Sequence, residues 1–215
     1  NELYAPDTTF ETDEDGYYLI SSAEELYGAA KLINEAGAYL SAKFRLTNDI
    51  IINEGKVSEW KNVAPKYTWL PMGNNANPFA GEFDGNGYSI KGIYCKDIQQ
   101  YSGLFGSTAA TSVVENLKLE DSYFCWSTSG NAIMGSISGR GGGTFRNVYS
   151  DAIMDTKGSY TGGLLGGANA DSVITDCWFA GELNIQHSDV RGAGGFIGRT
   201  DKGAVTISHS LYSGY

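Results

Sequence analysis

The chain has two histidines, His187 and His209, far from each other in sequence. A zinc protease would need His-Glu-x-x-His, two imidazoles one helical turn apart with a carboxylate base, and no such segment occurs. Proteolysis by this chain is therefore not expected. His209 fills a position that comparable segments give to Asn or Asp, which makes it a hydrogen-bonding turn residue, and His187 lies in a polar loop. Glycoside hydrolysis would need two carboxyls about 5 to 9.5 Å apart across a sugar. Asp49, Glu82 and Asp84 lie near expected strand ends, but Asp84 belongs to the turn Asp84-Gly85-Asn86-Gly87, which accounts for it. Calcium at Asp84 and Asn86 would find too few oxygens in one acidic turn.

Lyase chemistry would want a basic residue beside calcium-binding acids. Arg140, Arg146, Arg191 and Arg199 are scattered, and the Gly-Gly-Gly loop between Arg140 and Arg146 suggests a solvated corner. Gly139-Arg-Gly-Gly-Gly143 lacks the Gly-Lys-Ser/Thr ending of a phosphate-binding loop. Cys95, Cys125 and Cys177 form no CxxC pair and leave an odd one over, so buried thiols are expected in place of a disulfide framework or zinc site. No catalytic residue, metal site or cofactor is expected. What remains is aromatic surface. Trp60, Tyr67, Trp69 and Trp126 are candidate ligand-binding residues, within a set that also holds Tyr123, Trp178, Tyr212 and Tyr215. Aromatic faces flanked by polar groups suit sugars or protein partners, and the competing reading stacks them along the fold.

The scaffold that carries these residues can be read from composition and spacing. With 215 residues one domain with a sizeable core is expected. A formal net charge of -10 argues against nucleic acid and anionic membrane surfaces, which need clustered Lys and Arg. No apolar run reaches membrane-spanning length, so membrane insertion by this chain is not expected. The first residue is Asn1, which suggests a mature or excised piece. Residues 1–16, with Glu11, Asp13, Glu14 and Asp15, form an acidic leader expected to be solvated. Residues 17–215 form the domain.

Ser22-Ala-Glu-Glu25 has the capping-box pattern, and Leu26, Ala29, Ala30 and Ile33 recur at helical spacing before Gly37. A helix near 22–36 is expected, covering the open end of the repeat array. Phe44 to Ile50 alternates as a strand, the stretch to Lys66 is a polar excursion, and Gly-rich repeats begin near 69. Four Gly-bracketed clusters recur: Gly103-Leu-Phe-Gly106, Gly135-Ser-Ile-Ser-Gly139, Gly162-Gly-Leu-Leu-Gly166 and Gly194-Gly-Phe-Ile-Gly198. Their closing glycines return at intervals of roughly 30 residues, a period typical of repeat architectures. Each cluster is followed by a second strand in which Asn116, Asn147, Asp176 and His209 share one position, and Leu117, Val148, Cys177 and Ser210 the next. Equivalent residues on every turn are what stacked coils about 4.8 Å apart require. A parallel β-helix fits better than a propeller, since each unit has room for about three strands and a blade needs four.

Gly103-Leu-Phe-Gly106, Gly162-Gly-Leu-Leu-Gly166, Phe79-Ala-Gly-Glu-Phe-Asp-Gly-Asn-Gly87 and Ile20-Ser-Ser-Ala-Glu-Glu-Leu26 together resemble the GLUG-motif repeat proteins. The resemblance covers roughly 17–215. It implies an all-β, right-handed parallel β-helix with an N-terminal capping α-helix, as found in bacterial cell-surface and secreted proteins, including the non-catalytic region of IgA-specific metallo-endopeptidases. The family's motif residues build corners and core, so the resemblance implies a non-enzymatic, adhesin-like or spacer segment of a longer exported bacterial protein. Its partners would be host glycans, host or bacterial surface proteins, and further domains of that parent. The alternatives are a carbohydrate-binding module, which would expose a row of aromatics such as Trp60, Trp69 and Trp126, and a glycan-active β-helix enzyme with clustered carboxylates. Ser136 and Ser138 depart from the motif, which leads us to expect irregular packing in that coil, and the repeat reaching Tyr215 is expected to lack a closing element.

Overall fold

The computed structural model describes residues 1–186 and 191–215, and the chain winds as a mostly β, parallel solenoid with one short N-terminal helix. One side-chain ladder runs its length. Tyr18 pairs with Phe44, Phe44 with Phe83, Phe83 with Val114, Val114 with Phe145, Phe145 with Ile174, and Ile174 with Ile207. The five inner rungs are fully buried, while Ile207 is 45% exposed at the last coil. Burying each large apolar side chain contributes roughly 1.5–3 kcal/mol, and the ladder joins a larger core that also takes in the N-terminal helix and the other inward residues of the coils. A second inward ladder, Leu117, Val148 and Cys177, follows the first around the coil.

The shared Asn/Asp/His position is a corner. Asn116, Asn147, Asp176 and His209 have φ of 54°, 53°, 54° and 48°, the left-handed region that Asn, Asp and His tolerate better than other side chains. Asn147 Nδ2 donates to Asn116 Oδ1 at 2.9 Å, and Asn116 Nδ2 donates to Asp84 Oδ1 at 3.2 Å. The closing glycines stack because Phe105 pairs with Ser138, Ser138 with Leu165, and Leu165 with Ile197. A Cβ on Gly166 would lie 2.5 Å from the carbonyl oxygen of Gly139, so backbone fills the space that a side chain would take.

Ser136 and Ser138 do not disturb their coil. Both are buried; Ser136 Oγ donates to the Gly163 carbonyl at 2.5 Å, Ser138 Oγ meets Thr108 Oγ1 at 2.9 Å, and Ile137 fills the core between them. The turn at Asp84–Gly87 is also a corner and not a hairpin, because Glu82–Asp84 and Ser89–Lys91 each pair in parallel with Val113–Glu120. Nor is the Gly-Gly-Gly segment solvated. Gly141, Gly142 and Gly143 are buried within the strand Ser138–Ser150, and Gly141 and Gly143 have φ of 131° and 113°.

The helix α1 spans Ala23–Asn34, with Ser22 Oγ accepting from the Glu25 backbone N–H at 3.2 Å. Glu25 takes the backbone N–H and hydroxyl of Ser21, one residue earlier than a capping box would place it. Ala36 rather than Gly37 carries the left-handed φ, 55°, that ends the helix. Leu26, Ala29, Ala30 and Ile33 face inward, and Asn34 ties the helix to the first coil through the Pro71 carbonyl and the Gly73 N–H.

The acidic leader keeps Glu11, Glu14 and Asp15 exposed, but it is docked along the fold through its aromatic residues and Asp13. Tyr4 stacks on Tyr67 with centroids 3.8 Å apart, Phe10 meets Phe44 edge-on at 5.8 Å, and Asp13 bonds Arg45 at 2.7 Å. Gly28 lets the leader cross α1, since a Cβ there would collide with the Asp7 carbonyl.

Candidate binding surfaces

Two of the aromatic candidates lie inside the fold. Trp69 is 0% exposed, its Nε1 donates to the Leu104 carbonyl at 3.1 Å, and its ring meets Tyr27 edge-on at 5.1 Å. Trp60 is 5% exposed and packs with Tyr94, Tyr123 and Cys125, where it pins the 52–68 excursion to the coil. Both indoles bury their faces against neighbouring side chains, so Trp69 offers no ligand platform and Trp60 keeps only a small part of its surface exposed. Tyr67 is half-buried beneath Tyr4, with its backbone N–H on Asn53 Oδ1 at 2.9 Å. Trp126 is half-buried one coil beyond Tyr94–Lys96, and its Nε1 is enclosed without a partner among the described residues. The four candidates therefore form no single exposed row. The indole that is exposed is Trp178, at 45%, donating to Ser213 Oγ and edge-on to Tyr149.

The excursion creates two clefts. On one side Tyr4, Asn53, Lys56, Trp60 and Tyr67 line about 540 Å³. On the other, Ser58 and Lys61 overhang Tyr123, Asp155, Glu182 and Gln186 around about 530 Å³. Asp155 accepts from Tyr123 Oη at 2.9 Å and from Gln186 Nε2 at 2.6 Å. Burial, reinforced by that carboxylate, pushes the Tyr123 hydroxyl's pKa far above its ordinary value, so it acts as a hydrogen-bond donor. The polar groups of these clefts are largely engaged with one another and with the backbone.

The other residue types weighed for chemistry are committed to structure. Asp84 is bound on one oxygen by Arg45 at 2.9 Å and on the other by the Asn86 N–H and Asn116 Nδ2. Arg45 in turn lies over Tyr17, 3.8 Å from its centroid. Burial raises all three thiols, Cys95 to about 12 and Cys177 to about 11, which keeps them protonated and apolar. His209 sits at the last left-handed corner, and His187 lies outside the described residues. Among the described residues no group of three or more His, Cys, Asp or Glu side chains comes together as a metal site.

No family model matches the chain. It is 37% identical over 81 residues to a provisionally designated Gly-rich membrane protein of Evansella cellulosilytica, a match covering 37% of this chain and 9% of that protein. It is 30% identical over 160 residues to halomucin of Haloquadratum walsbyi, covering 74% of this chain and 2% of halomucin. The matched stretch is thus less than a tenth of the length of either relative. A crystal structure from Bacteroides ovatus, provisionally designated an immunoglobulin A1 protease, matches 94% of this chain and 68% of its own with a TM-score of 0.55 at 18% identity. The chain is thus a parallel β-solenoid that shares its fold with that structure and is similar in sequence to short stretches of much longer proteins.

Proposed function

We infer that this chain is a non-enzymatic solenoid module of a larger exported, cell-surface protein of the GLUG-motif kind, acting as a spacer or adhesin-like element. One observation carries the reading: the inward ladder is unbroken from Tyr18 to Ile207, which makes a stiff rod that lengthens by about 4.8 Å with each coil. A rod of this kind can hold other domains at a distance, and that role asks no chemistry of the rod itself. The halomucin and membrane-protein designations of the relatives, and the small share of each that is matched, support a part in a long surface protein. Antibodies raised against the chain should label intact cells of its source, and external protease should remove the epitope without lysis. An epitope reached only after lysis would overturn the reading. Incubation with polysaccharides should release neither reducing ends nor unsaturated products; turnover that survives purification would make the chain an enzyme.

A further inference from the structure

The coils bring together two ladders whose members are far apart in sequence. On one, Tyr101 pairs with Ile133, Ile133 with Tyr160, and Tyr160 with Gly192. On the other, Ser107 pairs with Arg140, Arg140 with Gly167, and Gly167 with Arg199. Between them lies a cleft of about 510 Å³, to which Arg191 and Lys202 also contribute. Four of the chain's 15 Lys and Arg residues therefore converge on one cleft of a protein whose net charge is -10. Among the described residues the lining holds one carboxylate, Asp201, bonded to Arg199 and 3.8 Å from Arg140. One carboxylate leaves the cleft with an excess of positive charge.

The arginines are held in place before any ligand arrives. Arg140 donates from Nη1 to Tyr101 Oη at 2.8 Å, with its guanidinium 5.2 Å from that ring's centroid. Arg199 lies 4.5 Å from the Tyr160 centroid. Arg140 Nε is enclosed and has no hydrogen-bond partner among the described residues, an unmet donor on a charged group. Gly167 lies on the coil between the two arginines, and two coils of separation set their backbones about 10 Å apart. That interval is comparable to a disaccharide step along an extended glycan. Gln100 and Asn131 add amides at the rim, and Ile133 is the one aliphatic side chain of the lining, so the cleft suits hydroxyls better than apolar peptide side chains.

We propose that this cleft binds an acidic saccharide, a chain of sugar rings carrying carboxylate or sulfate groups at alternate residues. The guanidinium groups pair with the anionic substituents, and the rim amides with ring hydroxyls. The proposal deepens the adhesin-like half of the proposed function and leaves the spacer half untouched, because loss of binding would not alter surface labelling. The test is calorimetric titration of the full chain with oligosaccharides of hyaluronate, of chondroitin sulfate and of neutral dextran, and with poly-glutamate. Hyaluronate or chondroitin sulfate should bind, more weakly as salt rises. Because chondroitin sulfate carries uronate carboxylates as well as sulfates, binding of hyaluronate shows that carboxylates suffice, and binding of chondroitin sulfate alone shows that sulfate is required. Dextran should not bind, and poly-glutamate should bind at least tenfold more weakly. Arg199→Gln should lower the affinity roughly tenfold or more while staying folded, and Arg191→Gln, a second variant at an exposed position, should lower it with unchanged melting temperature. Failure of both acidic saccharides, equal binding of poly-glutamate, or full affinity in both folded variants would each overturn the proposal.

Discussion

Two positions of the solenoid, a corner and a strand ladder built from the same coils, differ in how their residues repeat. At the Asn116–Asn147–Asp176–His209 corner every coil supplies a residue that tolerates the left-handed region, and two of the asparagine amides bond the coil before them. At the Ser107–Arg140–Gly167–Arg199 position the residue types change from coil to coil, and a guanidinium nitrogen stays unbonded among the described residues. The corner satisfies itself, so its repetition is explained by the fold. The strand ladder leaves charge and space that the fold does not use. In this solenoid the repeating corner is scaffold, and the position that varies in charge carries the proposed binding cleft.

Adjacent glycines separate the two behaviours most sharply. Gly166 belongs to the stacked closing glycines, where a Cβ would press on the backbone of Gly139 and Met134. Gly167 lies behind the cleft, where a Cβ would meet only side-chain atoms, Ile133 Cγ2 at 3.3 Å and Arg140 Cγ at 3.8 Å, which need give by no more than a few tenths of an ångström. Gly166→Ala should cost about 3 kcal/mol, whereas Gly167→Ala should stay within about 1 kcal/mol of wild type. Denaturant unfolding of the two variants decides this. Equal losses would mean that the cleft is packed as tightly as the core and would erase the distinction.

The asparagine corner should respond on a smaller scale. Asn147→Ala places a residue with a Cβ and no local hydrogen bond at φ 53° and removes the bond to Asn116. The left-handed backbone costs about 1–2 kcal/mol for such a residue, and the lost hydrogen bond adds to it. Asn147→Gly should recover the backbone part and remain more stable than Asn147→Ala. A glycine variant no better than the alanine one would show that the side-chain ladder, and not the backbone, fixes this corner. Saccharide binding should be unchanged in both variants, since the corner lies outside the cleft lining.

The same contrast governs what is legible in the sequence. The corner can be read because its residues recur at one position in four aligned segments, and the Gly-bracketed clusters recur in the same way; the helix shows through its own apolar spacing. The rungs Tyr18, Phe44 and Phe83 do not stand out as one ladder, because the helix and the excursion fill the unequal intervals between them. The leader's docking escapes notice because its charges stand next to one another, while Tyr4, Phe10 and Asp13 find their partners at Tyr67, Phe44 and Arg45, beyond the helix. The basic cleft escapes because Arg140 and Arg199 are two coils apart with Gly167 on the coil between them, so nothing recurs. Trp60 and Trp69 mislead in the opposite direction: their residue type suggests surface recognition, and only the excursion and α1 folding over the first coils explain their burial.

The smallest effect expected is electrostatic, and two carboxylates on turns should show it with opposite signs. Burial, with the Asp121 and Glu120 carboxylates nearby, holds the Asp151 pKa above its ordinary value. The bond from the Ser89 N–H, at 2.9 Å, holds Asp49 below its own. A carboxyl whose pKa is raised on folding binds its proton more tightly in the folded state. The stability that this contributes is present at low pH and is lost as pH rises through the folded-state titration. For Asp49 the stability is present above the ordinary carboxylate range and is lost as pH falls through its lowered value. Melting temperatures measured from pH 3 to 7 should therefore show Asp151→Asn more stable than wild type at pH 7, with the advantage fading in acid. Asp49→Asn should be less stable at pH 7, with that deficit also shrinking in acid. Two variants shifting the same way at pH 7 would mean that the hydrogen bonds made by Asp151, from the Asp121 N–H at 2.8 Å and from Tyr149 Oη, outweigh the cost of burying its charge.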